Sequence, residues 1–265
     1  MIEPEVCSPS KHQSFSCYTK KNIRTMKHAF NKTRSQVNKI VSDKTSSIWK
    51  ELNAKLTMCK KESCWAKELR LNYENRFAPK SPSSWQSNPS EWLSSDDITA
   101  VLKQYEKVYD DFQYIGPSPS DYFFQENGQC VWPELCEFNV NTSSKNRIGI
   151  VFNLDVHDGP GTHWVSLFIN IKKKKIYYFD STGEKINEQN DNIMHLVDQI
   201  KAQDSKFTLI QNHPVEHQFG NTECGMYTLF FIITMLKTNN YRYFKTAHVF
   251  PDKEMKRLRK KYFNT

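Results

Sequence analysis

Four residues in the second half of the chain have the side chains that nucleophilic catalysis requires: His163, Asp180, Gln218 and Cys224. A sulfur nucleophile needs a base to take its proton, a group to orient that base, and donors for the oxyanion. Cys224 stands between an acid and a glycine in HQFGNTECGMYTLFFIITML, directly before an apolar run. The run is too short to span a bilayer, which takes about 20 residues. It reads as a buried helix with Cys224 at its N-terminus, where unpaired N–H groups and the helix dipole favour a thiolate. His163 opens a strand in GPGTHW, and Asp180 ends the next strand in YYFDST. If those strands pair across the lysines at 172–175, the start of one lies beside the end of the other. The carboxylate could then fix the imidazole tautomer and stabilise the imidazolium. Gln218, six residues before Cys224, is an uncharged donor placed to hold an oxyanion, together with the backbone N–H groups at the helix start. Blander readings remain open at this level: a structural histidine, a turn aspartate and a core thiol. His157 in DVHDGPG competes as the base, and Asn221 competes with Gln218.

These residues need a scaffold. Residues 1–18 read as loosely attached. From about 20 to 76 helix formers dominate, with Val37, Ile40, Ile48, Leu52 and Leu56 at broadly helical spacing and a break around 42–47. APKSPSSWQSNPSEW, residues 78–92, reads as a Pro/Ser-rich linker and domain boundary. SSDDITAVLKQYEKVY then predicts a capped helix with an apolar face of Ile98, Val101, Leu102, Tyr105 and Val108. YIGPSPSDYFF reads as a loop. Three strands follow at 148–155, 163–171 and 175–181, the last two alternating apolar and polar positions across an exposed lysine turn. A helix at 187–202, a strand at 206–212, the Cys224 helix and a basic helical segment at 251–261 complete the pass. Strands framed by helices give an α+β domain. The division is a basic, mainly helical N-terminal extension, 1–80, and a catalytic domain, 81–265.

Composition narrows the classes. At 38% hydrophobic and 25% charged residues, the chain is that of a globular protein. The first 30 residues lack the apolar segment of a signal peptide. Seven cysteines, at 7, 17, 59, 64, 130, 136 and 224, are odd in number and uneven in spacing, and read as reduced thiols of an intracellular protein. Cys59 and Cys64 lack two further nearby ligands, so a metal site is not expected. Residues 1–80 hold 17 Lys+Arg against 7 Asp+Glu, while the remainder hold 20 against 22. The extension therefore carries the positive charge, as a solvated helical surface or as a contact for nucleic acid.

The order His, Asp, Gln, Cys-Gly carries a resemblance. GTHWVSLFINIKKKKIYYFDST and QFGNTECGMY resemble the H-W-x-L strand, the Asp-Ser strand end and the Q-x5-C-G block of the Ulp1/SENP-type cysteine proteases, a superfamily that includes the adenovirus protease. EWLSSDDITAVL is similar to the segment that begins that family's first catalytic helix. The resemblance implies a mixed central β-sheet flanked by helices. It implies His163 as general base, Asp180 as its partner, Cys224 as nucleophile and Gln218 in the oxyanion hole, with no metal or organic cofactor. It further implies Trp92 and Trp164 as walls of a narrow tunnel for glycine-rich substrate, where core packing is the plainer reading. The organisation is similar to polyprotein-processing proteases of large nucleocytoplasmic DNA viruses. That implies cleavage after glycine during virion maturation, with the enzyme in host cytoplasm and virion. A deconjugase for a ubiquitin-like modifier, an acyltransferase of the same fold and an idle scaffold are the competing readings. Ser94 and Ser95 stand where cellular modifier proteases often carry Asn-Asp, which weakens the deconjugase reading.

Overall fold

The computed structural model describes residues 2–10, 14–32, 34–73, 75–186, 191–246 and 249–264. The chain divides into two compact units, Met1–Ser81 with Lys260–Thr265, and Pro82–Arg259.

The first unit contains helices α1 (Lys20–Lys32), α2 (Thr45–Lys55) and α3 (Ser63–Glu68). Its core gathers Tyr18, Ile23, Met26, Phe30, Ile48, Leu52 and Trp65. Val37, expected among the buried positions, is exposed, because it falls in a short 3-10 turn and not on a helix face. The N-terminal segment is also better held than its polar sequence suggests. Glu3 bridges to Lys61 and Cys7 to Phe77, while Cys17 and Tyr18 are buried.

Six cysteines correct the expectation of reduced thiols. Cys7–Cys17, Cys59–Cys64 and Cys130–Cys136 form disulfides. Each pair lies ten residues apart or fewer, and a local turn brings the α-carbons to 5.1, 5.6 and 6.7 Å, within bonding reach. The reduced reading rested on a compartment inferred from the sequence, and such an inference says nothing of local geometry. Cys224 is the free cysteine.

The second unit is built on a five-stranded sheet of order β1-β4-β5-β6-β7. Its strands are β1 (Phe112–Pro119), β4 (Arg147–Asn153), β5 (Trp164–Asn170), β6 (Lys175–Phe179) and β7 (Thr208–Gln211), with β2 (Gln125–Glu126) and β3 (Gln129–Cys130) forming a separate hairpin. β1 runs parallel to β4 and β7 parallel to β6, while β4–β5 and β5–β6 are antiparallel. β1 was hidden by Gly116, Pro117 and Pro119. It lies at the sheet edge, where proline costs no ladder bond, and its register breaks between Ile115 and Ser118.

Helices α4 (Ser95–Glu106) and α5 (Pro133–Cys136) precede β4. Helices α6 (Asp191–Gln203), α7 (Cys224–Thr238) and α8 (Asp252–Tyr262) follow β6. The first residues expected in α6, 187–190, lie outside the described residues. One sheet face packs Ile148, Ile150, Val165, Leu167 and Ile176 with Ile193, Leu196, Val197 and Ile200 of α6. On the other face α7 packs against β5, with the Phe179 and Phe231 rings stacked at 5.0 Å. Both faces are covered, so every residue of β5 is buried, including Ser166 and Asn170. A sheet with one solvated face would have matched the apolar–polar alternation of the sequence; two covered faces overrule it.

α4 is capped reciprocally. The Ser94 side chain accepts from the Asp97 N–H, and the Asp97 carboxylate accepts from the Ser94 N–H, the capping-box arrangement. Ile98, Val101, Leu102 and Tyr105 are buried, whereas Val108 lies beyond the helix end and is half-exposed. Among the described residues no helix is long and apolar enough to cross a membrane.

Candidate active site

The β5–β6 hairpin turns over residues 171–174, with Lys174 in the left-handed region and its N–H on the Ile171 carbonyl. Ser166 pairs with Phe179, so the residues just before β5 meet those just after β6. His163 Nε2 there lies 2.8 Å from Asp180 Oδ1. The carboxylate is fully buried and the imidazole side chain is 17% exposed. Asp180 Oδ1 also accepts from the backbone N–H and hydroxyl of Thr182, at 2.9 and 2.8 Å.

Cys224 supplies the other partner of His163. Burial pulls the imidazole pKa down. Hydrogen bonds to Asp180 and Cys224, and the charges of both, outweigh burial and push it up to about 10. His163 is then imidazolium through neutral pH. The stability this pairing contributes is fully present below pH 6.5 and is lost as the pH rises through about 10. Cys224 itself is buried at the first position of α7.

Gln218 is buried, and its amide orientation is set from both sides. Oε1 accepts from Ser181 Oγ at 2.7 Å, while Nε2 donates to the Gly220 carbonyl at 2.8 Å and keeps a second N–H. Asn221 is exposed. His157 is engaged elsewhere, with Nδ1 2.7 Å from Asp121 Oδ2 and its ring stacked on Phe124.

The tryptophans differ in burial but share one cavity. Trp164 is 7% exposed and donates through Nε1 to the Leu93 carbonyl at 3.0 Å. Trp92 is 43% exposed. Both line a groove of about 470 Å3 with Ser94, Pro117, Asp155 and His157. Leu93 also presses on the residue after the candidate nucleophile. A Cβ on Gly225 would meet Leu93 Cβ at 2.9 Å, so glycine permits this packing.

Several supporting residues carry no signal in sequence. Asn212, at the end of β7, accepts from the Asp180 N–H and donates to the Asp180 carbonyl, at 3.0 and 2.7 Å. Ser181 accepts the N–H groups of His217 and Gln218 on its carbonyl. Asp252, which begins α8, accepts the N–H groups of Phe219 and Gly220 and the Tyr227 hydroxyl. Arg259, in the same helix, reaches Glu223. The lysine- and arginine-rich sequence of α8 reads only as a basic helix. Such long-range partners become visible once the chain is folded. A thiol, an imidazole and a buried carboxylate in this sequence of contacts can pass a proton from sulfur to nitrogen and hold the resulting charges.

The chain is similar to known proteins. The C-terminal catalytic domain of the Ulp1 protease family matches residues 96–265. A thiol protease of Acanthamoeba polyphaga mimivirus is 32% identical over 157 residues, 57% of this chain and 49% of that protein. The chain thus matches about half the length of the mimivirus relative. A protein of African swine fever virus, named a SUMO-1 cysteine protease, is 26% identical over 262 residues, 89% of this chain and 93% of its own length. A crystal structure of an African swine fever virus protease has the same fold, with a TM-score of 0.67 at 20% identity, covering 99% of this chain and 97% of that one. With its catalytic-domain match spanning well over half of its residues, the chain belongs to the Ulp1 protease family.

Proposed function

We propose that the protein is a cysteine endopeptidase that cuts after glycine, in Gly-Gly-X or Gly-X-Gly-X sequences, and processes viral structural polyproteins as virions mature. The observation that carries the reading is the run of contacts from Asp180 through His163 to Cys224, beside a groove lined by two tryptophans. The Cys224 thiolate attacks the substrate carbonyl. The oxyanion takes the free N–H of Gln218 Nε2 and the backbone N–H groups at the start of α7. The His163 imidazolium gives its proton to the leaving amine, and the amide C–N bond breaks. Water, deprotonated by the now neutral His163, then hydrolyses the thioester and returns the thiolate–imidazolium pair. Indole walls exclude a Cβ by steric clash, which is the physical basis of glycine selectivity. The catalytic part is residues 81–265 and the extension 1–80, with host cytoplasm and virion as its place of action.

A peptide panel tests this reading. Purified protein with Gly-Gly-X, Gly-X-Gly-X and Ala-Ala-X peptides, and a folded ubiquitin-like precursor, should cleave the glycine peptides alone. Cutting only the folded precursor would instead support a deconjugase, the activity suggested by the name of the swine fever relative. A folded modifier would have to bind the surface around Ser94–Asp97 and Tyr114–Tyr122, where Ser94, Ser95 and Asp96 are exposed and the Tyr114 and Tyr122 side chains are buried. In the same panel Trp92→Ala should raise cleavage of Ala-Ala-X relative to Gly-Gly-X by about tenfold, the scale on which a pocket distinguishes one methyl group. An unchanged ratio would leave Trp92 outside the tunnel.

Asp180→Asn follows from the imidazolium. Without the carboxylate, the His163 pKa falls from its raised value. Because catalysis uses the protonated imidazole, the alkaline limb of kcat/KM against pH should move to lower pH, and the maximum should fall by about 10^3–10^4. An alkaline limb left where it stands in the unmodified protein would contradict the role given to Asp180.

The basic extension contacts nucleic acid in this reading. The support lies on α1, where Lys20, Arg24, His28 and Lys32 are exposed at four-residue spacing and no acid occurs in the helix. Lys20→Glu with Arg24→Glu should weaken nucleic-acid binding at all sequences and lower its salt dependence by about two counterions. Peptide cleavage without nucleic acid should stay unchanged. Equal binding by the variant would place the contact elsewhere.

A further inference from the structure

The residue before Cys224 is an acid. Glu223 is 1% exposed and directly precedes in the chain the sulfur-bearing residue that has to become negative. A buried, unpaired carboxylate is costly, and its field opposes ionisation of a neighbouring thiol. The compensating charge comes from α8. Arg259 Nε donates to Glu223 Oε2 at 3.1 Å, and the other carboxylate oxygen takes the Thr222 hydroxyl at 3.2 Å. Arg259 is 4% exposed, and its guanidinium lies 4.6 Å from the centre of the Trp85 ring. Its Nη1 and Nη2 have no hydrogen-bond partner among the described residues. This arginine is therefore not spread over a network of acceptors; its charge faces one carboxylate and one aromatic ring.

The charges around Cys224 show why this matters. His163 contacts the sulfur, with Asp180 behind it. Glu223 precedes it in sequence, and one turn further on the Tyr227 hydroxyl donates to Asp252. These acids are Glu223, Asp180 and Asp252, and the cations set against them here are His163 and Arg259. His163 is matched to Asp180. Glu223 is left for Arg259.

We propose that Arg259 is a positioning residue for the nucleophile, cancelling the Glu223 charge and pinning the first turn of α7 so that Cys224 can ionise beside His163. The proposal rests on reading Cys224 as the nucleophile, and its test separates the two. The rate of Cys224 alkylation by iodoacetamide is followed against pH in the full chain, with the modified residue identified by mass spectrometry. In Arg259→Met the midpoint should rise by about one pH unit, and kcat/KM at pH 7 should fall about tenfold with KM little changed. Arg259→Lys should recover part of the loss. Glu223→Gln combined with Arg259→Met removes both charges and should return the midpoint towards that of the unmodified protein, which a purely structural arginine would not do.

An Arg259→Met midpoint equal to that of the unmodified protein would overturn the proposal. So would a double variant with its midpoint as high as that of Arg259→Met. Should Arg259→Met fail to fold, Arg259→Lys and the double variant decide: a small rise in Arg259→Lys with the double variant close to the unmodified protein supports the charge role, and a raised midpoint in the double variant overturns it. An unmodified protein whose Cys224 alkylates as an ordinary thiol, with a midpoint near 8.5, overturns the nucleophile reading and this proposal together.

Discussion

Cys224→Ala should reduce peptide cleavage to background, a loss on the order of 10^5-fold or more. The size of the effect follows from chemistry. Without sulfur no covalent intermediate forms, and the remaining groups can only polarise a carbonyl and position water. That residual catalysis survives such deletions elsewhere at roughly 10^3–10^4 over water, which would be invisible in a peptide assay. Cys224→Ser should be equally silent, because a serine hydroxyl does not ionise against an imidazole that is itself imidazolium up to about pH 10. Cleavage by either variant above 1% of the unmodified rate would remove Cys224 from its role. The other six cysteines offer no substitute, being paired in disulfides.

His163→Ala should cost nearly as much, about 10^4–10^6-fold in kcat/KM. In the proposed mechanism it acts on both halves of the reaction, holding the thiolate before attack and protonating the amine afterwards. A second reading separates this from damage to the fold. With the imidazole gone, the sulfur loses the partner that would hold it as a thiolate, and Cys224 alkylation at pH 6.5 should slow by about 100-fold. Unchanged alkylation in a folded variant would mean that something other than His163 activates the sulfur. His157 is poorly placed to do so, because its ring is tied to Asp121.

The His163–Asp180 contact was legible because a short hairpin leaves little freedom. Four turn residues, 171–174, fix which end of β5 meets which end of β6, and both residues stand at those ends in the sequence. The Cys224 helix was legible for a similar reason, an apolar run with a glycine where Leu93 presses. Strand β1 was not, since Gly-Pro-Ser-Pro has the composition of a loop and only an unpaired sheet edge tolerates it as a strand. The disulfides stayed hidden because spacing alone does not report whether two thiols converge. Asn212, Ser181, Asp252 and Arg259 brace the site from elements more than 30 residues away from their partners or through backbone groups. Nothing local in their sequence marks them.

In the proposed reaction Cys224 attacks the carbonyl of a glycine. The most direct test is covalent capture. The protein is incubated with a peptide ending in Gly-Gly whose C-terminal carboxylate is replaced by a vinyl sulfone, and with its Ala-Ala counterpart. The vinyl sulfone is a Michael acceptor that adds the thiolate without a leaving group. The products are read by intact mass and peptide mapping. One adduct, on Cys224, formed by the Gly-Gly probe and lost in His163→Ala, is the predicted result. An adduct on another residue, or equal labelling of Cys224 by the Ala-Ala probe, would contradict it.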